Sequence, residues 1–184
     1  MKGLEIIGRS FIMSQWKEIT PEEITKNPFR LIGKDWALVT AGNQEKVNTM
    51  TISWGGVGIM WGKPVAYVFI RPQRYTKQFI DAQEELSLSF YDENYREMLS
   101  FMGSKSGRDL DKIKEMGLTL NFEKNVPYFE EANMVLSLRK LYKQDLTKES
   151  FLDTSCDTKW YPDKDYHTMY AVSYTHLRAH ETRG

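Results

Sequence analysis

One stretch constrains this chain more than any other: Asn48-Thr49-Met50-Thr51-Ile52-Ser53-Trp54-Gly55-Gly56-Val57-Gly58. Thr49, Thr51 and Ser53 alternate with Met50, Ile52 and Trp54. A period of two puts hydroxyls on one face and apolar groups on the other, which a strand can do and a helix cannot. The glycines at 55, 56 and 58 are expected to let the backbone turn and approach another body closely. Hydroxyls and bare amides beside a large aromatic can hold a flat, polar cofactor. An ordinary half-buried strand ending in a glycine turn has the same pattern.

Strand patterns recur on both sides of this stretch. Trp36–Ala41 reads as a strand, and the polar turn Gly42–Lys46 joins it to the central stretch as a hairpin. Pro64–Ile70 is a nearly continuous apolar, β-prone run, the mark of a buried strand. Leu86–Tyr91 alternates, Leu118–Phe122 is a short strand, Asn133–Tyr142 is a β-rich run, and Tyr166–Val172 resumes a strand. Val126–Phe129 reads as a turn and Phe151–Asp165 as an irregular loop. Helices are expected at Tyr75–Ala82, at Asn94–Met102 and over about Arg108–Met116, the last with Gly117 as its C-cap. Thr20-Pro21-Glu22-Glu23 carries a capping-box pattern and predicts a helix that stops near Asn27, before Pro28. Six or seven strands without regular intervening helices argue against a doubly wound parallel sheet. The expected class is mainly β with α insertions, a mostly antiparallel, Greek-key-like barrel.

The chain's 184 residues suit one domain with a real core. Acidic and basic residues balance at 25 each, so nothing favours nucleic acid or an acidic membrane surface as partner. The single cysteine, Cys156, supports neither an intramolecular disulfide nor a cysteine-based zinc site. A reducing bacterial cytoplasm is the expected location. No apolar run approaches membrane-spanning length. Residues 1–15 read as an N-terminal extension, an over-long start or an expression remnant, with a second methionine at Met13 and no signal-peptide cleavage pattern. After Val172 the β pattern is expected to break off. Residues 173–184, with His176 and His180, resemble a translated sequencing adapter, read as a non-native tail without functional weight.

Two clusters carry polar chemistry. Arg71-Pro72-Gln73-Arg74-Tyr75-Thr76 ends a core strand, a good place for an anion or a ligand edge; a solvated strand end would look similar. In Ser104-Lys105-Ser106-Gly107-Arg108-Asp109, Ser106 is expected to open the following helix. Hydroxyls and cations at a helix N-terminus make a phosphate seat, and a capped surface helix with basic neighbours shares the pattern. The spacing is not that of a Walker loop, and no GxGxxG fingerprint is present.

From about Trp16 to Val172 the chain resembles the flavin reductase-like family of FMN-binding split-barrel proteins. The resemblance rests on Lys26–Phe29, Gly33–Trp36, Asn48–Gly56, Phe69–Thr76, Lys105–Asp109 and Asp165–His167, in order and at family-like intervals. It implies a homodimer with FMN at the interface. By resemblance, Asn48 and the Thr49, Met50, Thr51 and Ser53 strand face the isoalloxazine ring and ribityl chain, with Trp54 packed nearby. Arg71, Gln73, Arg74, Tyr75 and Thr76 line the site. Ser104, Lys105 and Ser106 are candidates for the phosphate end, and His167 for a contact near the ring. The implied activity is hydride transfer from NADH or NADPH to flavin, with electrons passing to a further acceptor and no side-chain acid or base required. An FMN electron carrier without its own NAD(P)H turnover, and a non-flavin binding module on the same fold, are the alternatives.

Overall fold

The computed structural model describes residues 16–180. The expectation for residues 1–15 lies outside the described residues. Ten strands are present among the described residues, and eight of them form one sheet in the order β3-β2-β6-β9-β10-β5-β4, with β1 on β10. The elements are β1 (Trp16–Glu18), α1 (Pro28–Arg30, running into a π turn at Leu31–Asp35), β2 (Ala37–Gly42), β3 (Val47–Ile52), β4 (Gly55–Met60), β5 (Lys63–Ile70), α2 (Thr76–Ala82), β6 (Glu85–Phe90), α3 (Arg96–Ser104), α4 (Lys112–Glu115), β7 (Leu120–Glu123), β8 (Val126–Phe129), β9 (Met134–Asp145), α5 (Thr154–Trp160) and β10 (Thr168–His180). Every described pairing is antiparallel.

One face of the large sheet closes over one apolar cluster. Met50 and Ile52 of β3, at one end of the strand path, share it with Ala66, Val68 and Ile70 of β5 near the other. Both ends reach a common core, so the sheet is strongly curled. A second cluster covers the outer face, where Met98, Leu99 and Met102 of α3 pack on Leu38, Tyr128, Phe129 and Val135. Helix α3 comes very close to β3: a Cβ on Gly103 would lie 3.2 Å from Thr51 Cβ. That approach carries the C-terminal end of α3 to the rim of the central stretch.

The β2–β3 hairpin forms as expected, with Ala37 opposite Ile52 and Gly42 opposite Val47. The polar face of β3 does not turn to solvent. Thr49 is fully buried, and its Oγ1 donates to Val39 O (3.0 Å) and pairs with Thr40 Oγ1 (2.9 Å). Thr51 Oγ1 donates to Leu99 O at 2.5 Å, fastening β3 to α3.

Several local expectations are corrected. Gly55, Gly56 and Gly58 lie in a strand, β4, and not in a turn. Gly55 has φ +147°, and a Cβ there would meet Tyr67 O of the neighbouring strand at 2.4 Å. The capping-box segment makes only a single 3-10 turn, Pro21–Glu23, in which Thr20 N–H donates to the Glu23 carboxylate at 2.6 Å. Asn27 starts a helix instead of ending one: its Oδ1 accepts from Phe29 and Arg30, and Pro28 takes the first helical position, where no amide is needed. The helix after Gly107 is shorter than expected and capped by Asp111, not Ser106. Val126–Phe129 is strand β8, paired with β7. Phe151–Asp165 contains helix α5, started by Asp153, whose carboxylate accepts from Ser155 N and Oγ.

The strand pattern does not break at Val172. β10 continues to His180 and pairs with β9 along the way, while β1 adds to its far end. Leu177 reaches the core and is 3% exposed. Backbone edges on both sides offer hydrogen bonds to any chain that can extend, and Tyr174, Leu177 and Ala179 supply enough apolar surface to hold this one.

Candidate functional site

Two hollows meet where β3, the end of β5 and the C-terminal end of α3 converge, and Met50 and Arg74 line both. The first, of about 270 Å³, is bounded by Met50, Thr51, Ile52, Ser53, Trp54, Phe69, Arg71, Arg74, Trp160 and His167. It is aromatic. Trp54 stands edge-on to Trp160 with ring centroids 5.0 Å apart, and tilts on His167 at 5.1 Å. Both tryptophans keep substantial exposure, so their rings form the open wall.

Charge at this end is held in place. Asp165 Oδ2 accepts from Arg71 Nη1 and from Gln73 Nε2, each at 2.6 Å, and Arg71 Nη2 donates to Trp160 O at 2.9 Å. The Arg71–Asp165 pair thereby ties the end of β5 to the segment before β10 and to the end of α5. His167 is buried, and its Nδ1 is hydrogen-bonded to the Tyr161 hydroxyl at 2.6 Å. Burial, reinforced by the Arg71 charge and opposed by Asp165, pushes the imidazole down to about 4. His167 is therefore neutral near neutral pH, a polar aromatic wall and not a cation.

The second hollow, of about 90 Å³, is lined by Asn48, Met50, Gln73, Arg74, Tyr75, Thr76, Ser104, Lys105, Ser106, Gly107 and Lys112. It is cationic. Arg74 Nη2 donates to Gly103 O (2.8 Å) and Lys112 Nζ to Met102 O (2.9 Å), so two cations cap the carboxyl end of α3. Burial lowers the pKa of Arg74, and burial together with the Arg74 charge pushes Lys112 down to about 8. Neither cation has a carboxylate partner among the described residues. Asn48 Nδ2 donates to Thr76 Oγ1 at 2.8 Å along one wall, and Arg108 Nη1 holds Gln73 O at 3.1 Å behind it. The expected helix-terminus seat is absent here: Ser104 ends α3, and the chain then passes through a bend into a turn at Gly107–Asp109, where Ser106 Oγ accepts from Arg108 N (3.2 Å).

Of the fifteen residues picked from sequence, fourteen line one or both hollows, and Thr49 lies behind them inside the sheet. The Thr51 hydroxyl is engaged by Leu99 O, so Thr51 presents backbone and methyl more than a free hydroxyl. Lys112, Gly107, Trp160, Phe69 and Asp165 take part without having been picked. A lysine six positions beyond Ser106 looks like any surface cation, and its burial is decided by where α4 docks. Trp160 fell in a segment read as loop, although Asp153-Thr154-Ser155 is a helix-start signal. A larger hollow of about 710 Å³ lies elsewhere, around Lys26, Arg30, Asp35, Tyr91, Glu93 and Arg96. Its charges largely pair with one another, Arg30 with both Asp35 (3.4 Å) and Glu93 (3.5 Å).

A curled antiparallel sheet with an aromatic hollow running into a cationic one defines a split-barrel scaffold for an elongated ligand with a flat end and an anionic end. The flavin reductase like domain family model matches residues 29–182, and the chain belongs to that family. No curated protein matches it. Among solved structures, the FMN-binding domain of a flavin reductases-like enzyme from Shewanella baltica is similar at TM-score 0.66 and 14% identity, over 92% of this chain and 79% of that one. A flavoredoxin from Methanosarcina acetivorans matches at TM-score 0.61 and 17% identity, over 80% of this chain and 69% of that one. The styrene monooxygenase flavin reductase from Pseudomonas putida S12 matches at TM-score 0.59 and 13% identity, over 80% of each chain.

The chemistry of the lining fits FMN. The second hollow presents a buried lysine, Lys112, and a half-buried arginine, Arg74, neither paired with a carboxylate among the described residues, which suits a phosphate monoester. The first presents aromatic walls and the exposed Ser53-Trp54 backbone, which suit a planar, hydrogen-bonding ring system.

Proposed function

We propose that this chain is an FMN-binding oxidoreductase of the flavin reductase type, taking hydride from NADH or NADPH and passing electrons to a further acceptor. The observation that carries the reading is the continuity of the two hollows through Met50 and Arg74. Ring recognition and phosphate recognition are thereby aligned along one groove. When bound, FMN supplies the redox chemistry.

The residues have separate tasks in this reading. Arg74, Lys112, Lys105 and Ser106 hold the phosphate, and Asn48 with Thr76 forms the polar wall along the ribityl chain. Ser53, Trp54, Arg71 and His167 surround the ring. Arg71 lends positive charge to this end while Asp165 fixes its direction. Trp54 and Trp160 leave the ring's open side accessible to a nicotinamide. No residue here is needed as a proton donor.

A homodimer belongs to the same reading. β4 ends the sheet, and Ile59 is 70% and Trp61 54% exposed beside it. An edge strand with exposed large apolar side chains calls for cover. A second copy of the chain would supply it.

The likeness to flavoredoxins favours one alternative, an FMN electron carrier that does not itself turn over NAD(P)H. An absorbance spectrum of the purified, FMN-loaded and desalted chain separates the readings. A retained flavin band that bleaches with NADH or NADPH is the expected result. A retained band that does not bleach selects the carrier, and a colourless protein that gains no thermal stability from FMN overturns flavin binding.

A further inference from the structure

We propose that Tyr161 is a positioning residue, which fixes His167 in the tautomer with its proton on Nε2 and so gives the first hollow one neutral, directed hydrogen-bond donor. The role at the ring rests on the flavin reading; the tautomer itself does not. Tyr161 caps the C-terminal end of α5, where its backbone N–H donates to Asp157 O at 2.9 Å, and it is 3% exposed. Its ring packs on Phe151 and Tyr166, and the Arg71 guanidinium lies 5.0 Å from its centroid. These contacts hold the phenol independently of its hydroxyl. The hydroxyl stands 2.6 Å from His167 Nδ1, with the two rings edge-on.

A phenol oxygen and an imidazole nitrogen can each play either part in such a bond, so the partners decide. Burial raises the Tyr161 pKa, and the Arg71 charge and the His167 amide N–H only partly oppose it, so the phenol keeps its proton. Among the described residues, Nδ1 is the one acceptor this proton reaches. If Nδ1 carried a hydrogen of its own, the buried phenol proton would be stranded. Tyr161 therefore donates, Nδ1 accepts, and the imidazole proton sits on Nε2.

Nε2 lies across the ring from Tyr161. It makes no hydrogen bond to the described residues and is not one of their buried orphan atoms, so it opens on the hollow that His167 lines. A histidine kept only for the core would have both nitrogens engaged. The charged groups facing the imidazole are Arg71, at the end of β5, and Asp165, before β10. They are paired with each other at 2.6 Å, and neither takes Nε2. The donor is thus kept for a hydrogen-bond acceptor on a bound ring system, a carbonyl oxygen or a ring nitrogen. It bonds without releasing its proton and without bringing charge to the ring.

The test begins with nitrogen NMR of the flavin-free chain carrying 15N-labelled histidine, at neutral pH. His167 is assigned by the signals that Tyr161 and His167 variants remove or move, His167→Gln being the blank. The wild type should show Nδ1 bare and Nε2 protonated, and Tyr161→Phe a mixture of the two tautomers. Adding FMN to the wild type should move the Nε2 signal more than that of Nδ1. Stopped-flow bleaching of the FMN-loaded chain by NADH or NADPH should slow by about threefold to tenfold in Tyr161→Phe, the scale of one neutral hydrogen bond. The same substitution made in His167→Gln should slow it no further. A protonated Nδ1 in the wild type overturns the proposal. So does equal slowing in both backgrounds, which would make Tyr161 a packing residue, or an Nε2 signal that bound FMN leaves in place. If no chain retains flavin, the flavin reading fails and the role at the ring with it, while the NMR still decides the tautomer. If Tyr161→Phe does not fold, the wild-type tautomer and its response to FMN decide.

Discussion

Asn48 Nδ2 donates to Thr76 Oγ1 across 2.8 Å, joining β3 to the first turn of α2, and both side chains are buried at the edge of the cationic hollow. The pair leaves little room around it. A Cβ at Gly107 would lie 2.1 Å from Asn48 Oδ1.

That clearance makes Gly107→Ala a direct probe of the groove. The added methyl must push Asn48 aside or displace the turn, at a cost of about 1–3 kcal/mol. FMN retention after desalting should fall in Gly107→Ala, and also in Asn48→Ala and Thr76→Ala. Unchanged retention in all three would remove the second hollow from the binding site.

The Thr40–Thr49 pair predicts an asymmetry in stability. Thr49 donates to Val39 O, so removing the Thr40 hydroxyl leaves Thr49 satisfied. Removing the Thr49 hydroxyl strands that of Thr40 in a fully buried position. Thr49→Val should therefore cost about 1–3 kcal/mol and Thr40→Val less. Denaturant unfolding of the two variants and of the double variant checks this. Equal single costs would mean that Thr40 finds another acceptor.

Asp81 governs part of the acid stability. Burial alone would raise its pKa, but hydrogen bonds from Lys77, Lys143 and Tyr170 outweigh it and bring the carboxyl down to about 2. A folded value below the unfolded one gives stabilisation that is complete above the unfolded pKa of about 3.9 and is lost as pH falls toward 2. With the side chain 33% exposed, screening reduces the contribution to about 1 kcal/mol. Asp81→Asn should flatten the thermal-stability profile between pH about 4 and 2. An unchanged acid limb would assign the loss to other carboxylates.

His167 acts in a different window. Its folded value of about 4 lies below the unfolded value of about 6.5, so the unfolded chain takes up the proton first. Stability should decline as pH falls from about 6.5 toward 4, and less steeply in His167→Gln. Because the imidazole is neutral above that window, NAD(P)H oxidation should show no His167 titration between pH about 6 and 8. A wild-type rate profile with such a titration, absent from the variant, would contradict the neutral assignment.

Releasing Arg71 should loosen the ring end. Asp165→Ala removes the acceptor shared by Arg71 and Gln73 and leaves Trp160 O as the hydrogen-bond partner of Arg71. The expected result is weaker quenching of bound-flavin fluorescence by Trp54 and Trp160 and lower flavin affinity. Unchanged affinity and quenching would show that the guanidinium needs no anchor.

Much of the chain was legible because strand period and side-chain chemistry are local. The alternation around Met50 defined β3, the apolar run before Ile70 defined β5, and the polar residues at their ends marked the groove. The resemblance then ordered those fragments along one flavin. Other features depend on competition between partners distant in sequence. Val126–Phe129 is a strand because β7 is there to pair with it. The glycines of β4 read as turn residues until Tyr67 O explains the Gly55 position.

The sequence by itself determined a mainly β, antiparallel chain with hydroxyls, cations and aromatics at strand ends, since backbone period and donor types are properties of the residues themselves. The tertiary structure alone decided which of them meet. It turned Thr49 inward, drove Lys112 under the α3 carboxyl end beside Arg74, and carried β10 through Leu177 into the core. Burial and charge pairing are sums over neighbours that only the closed fold brings together.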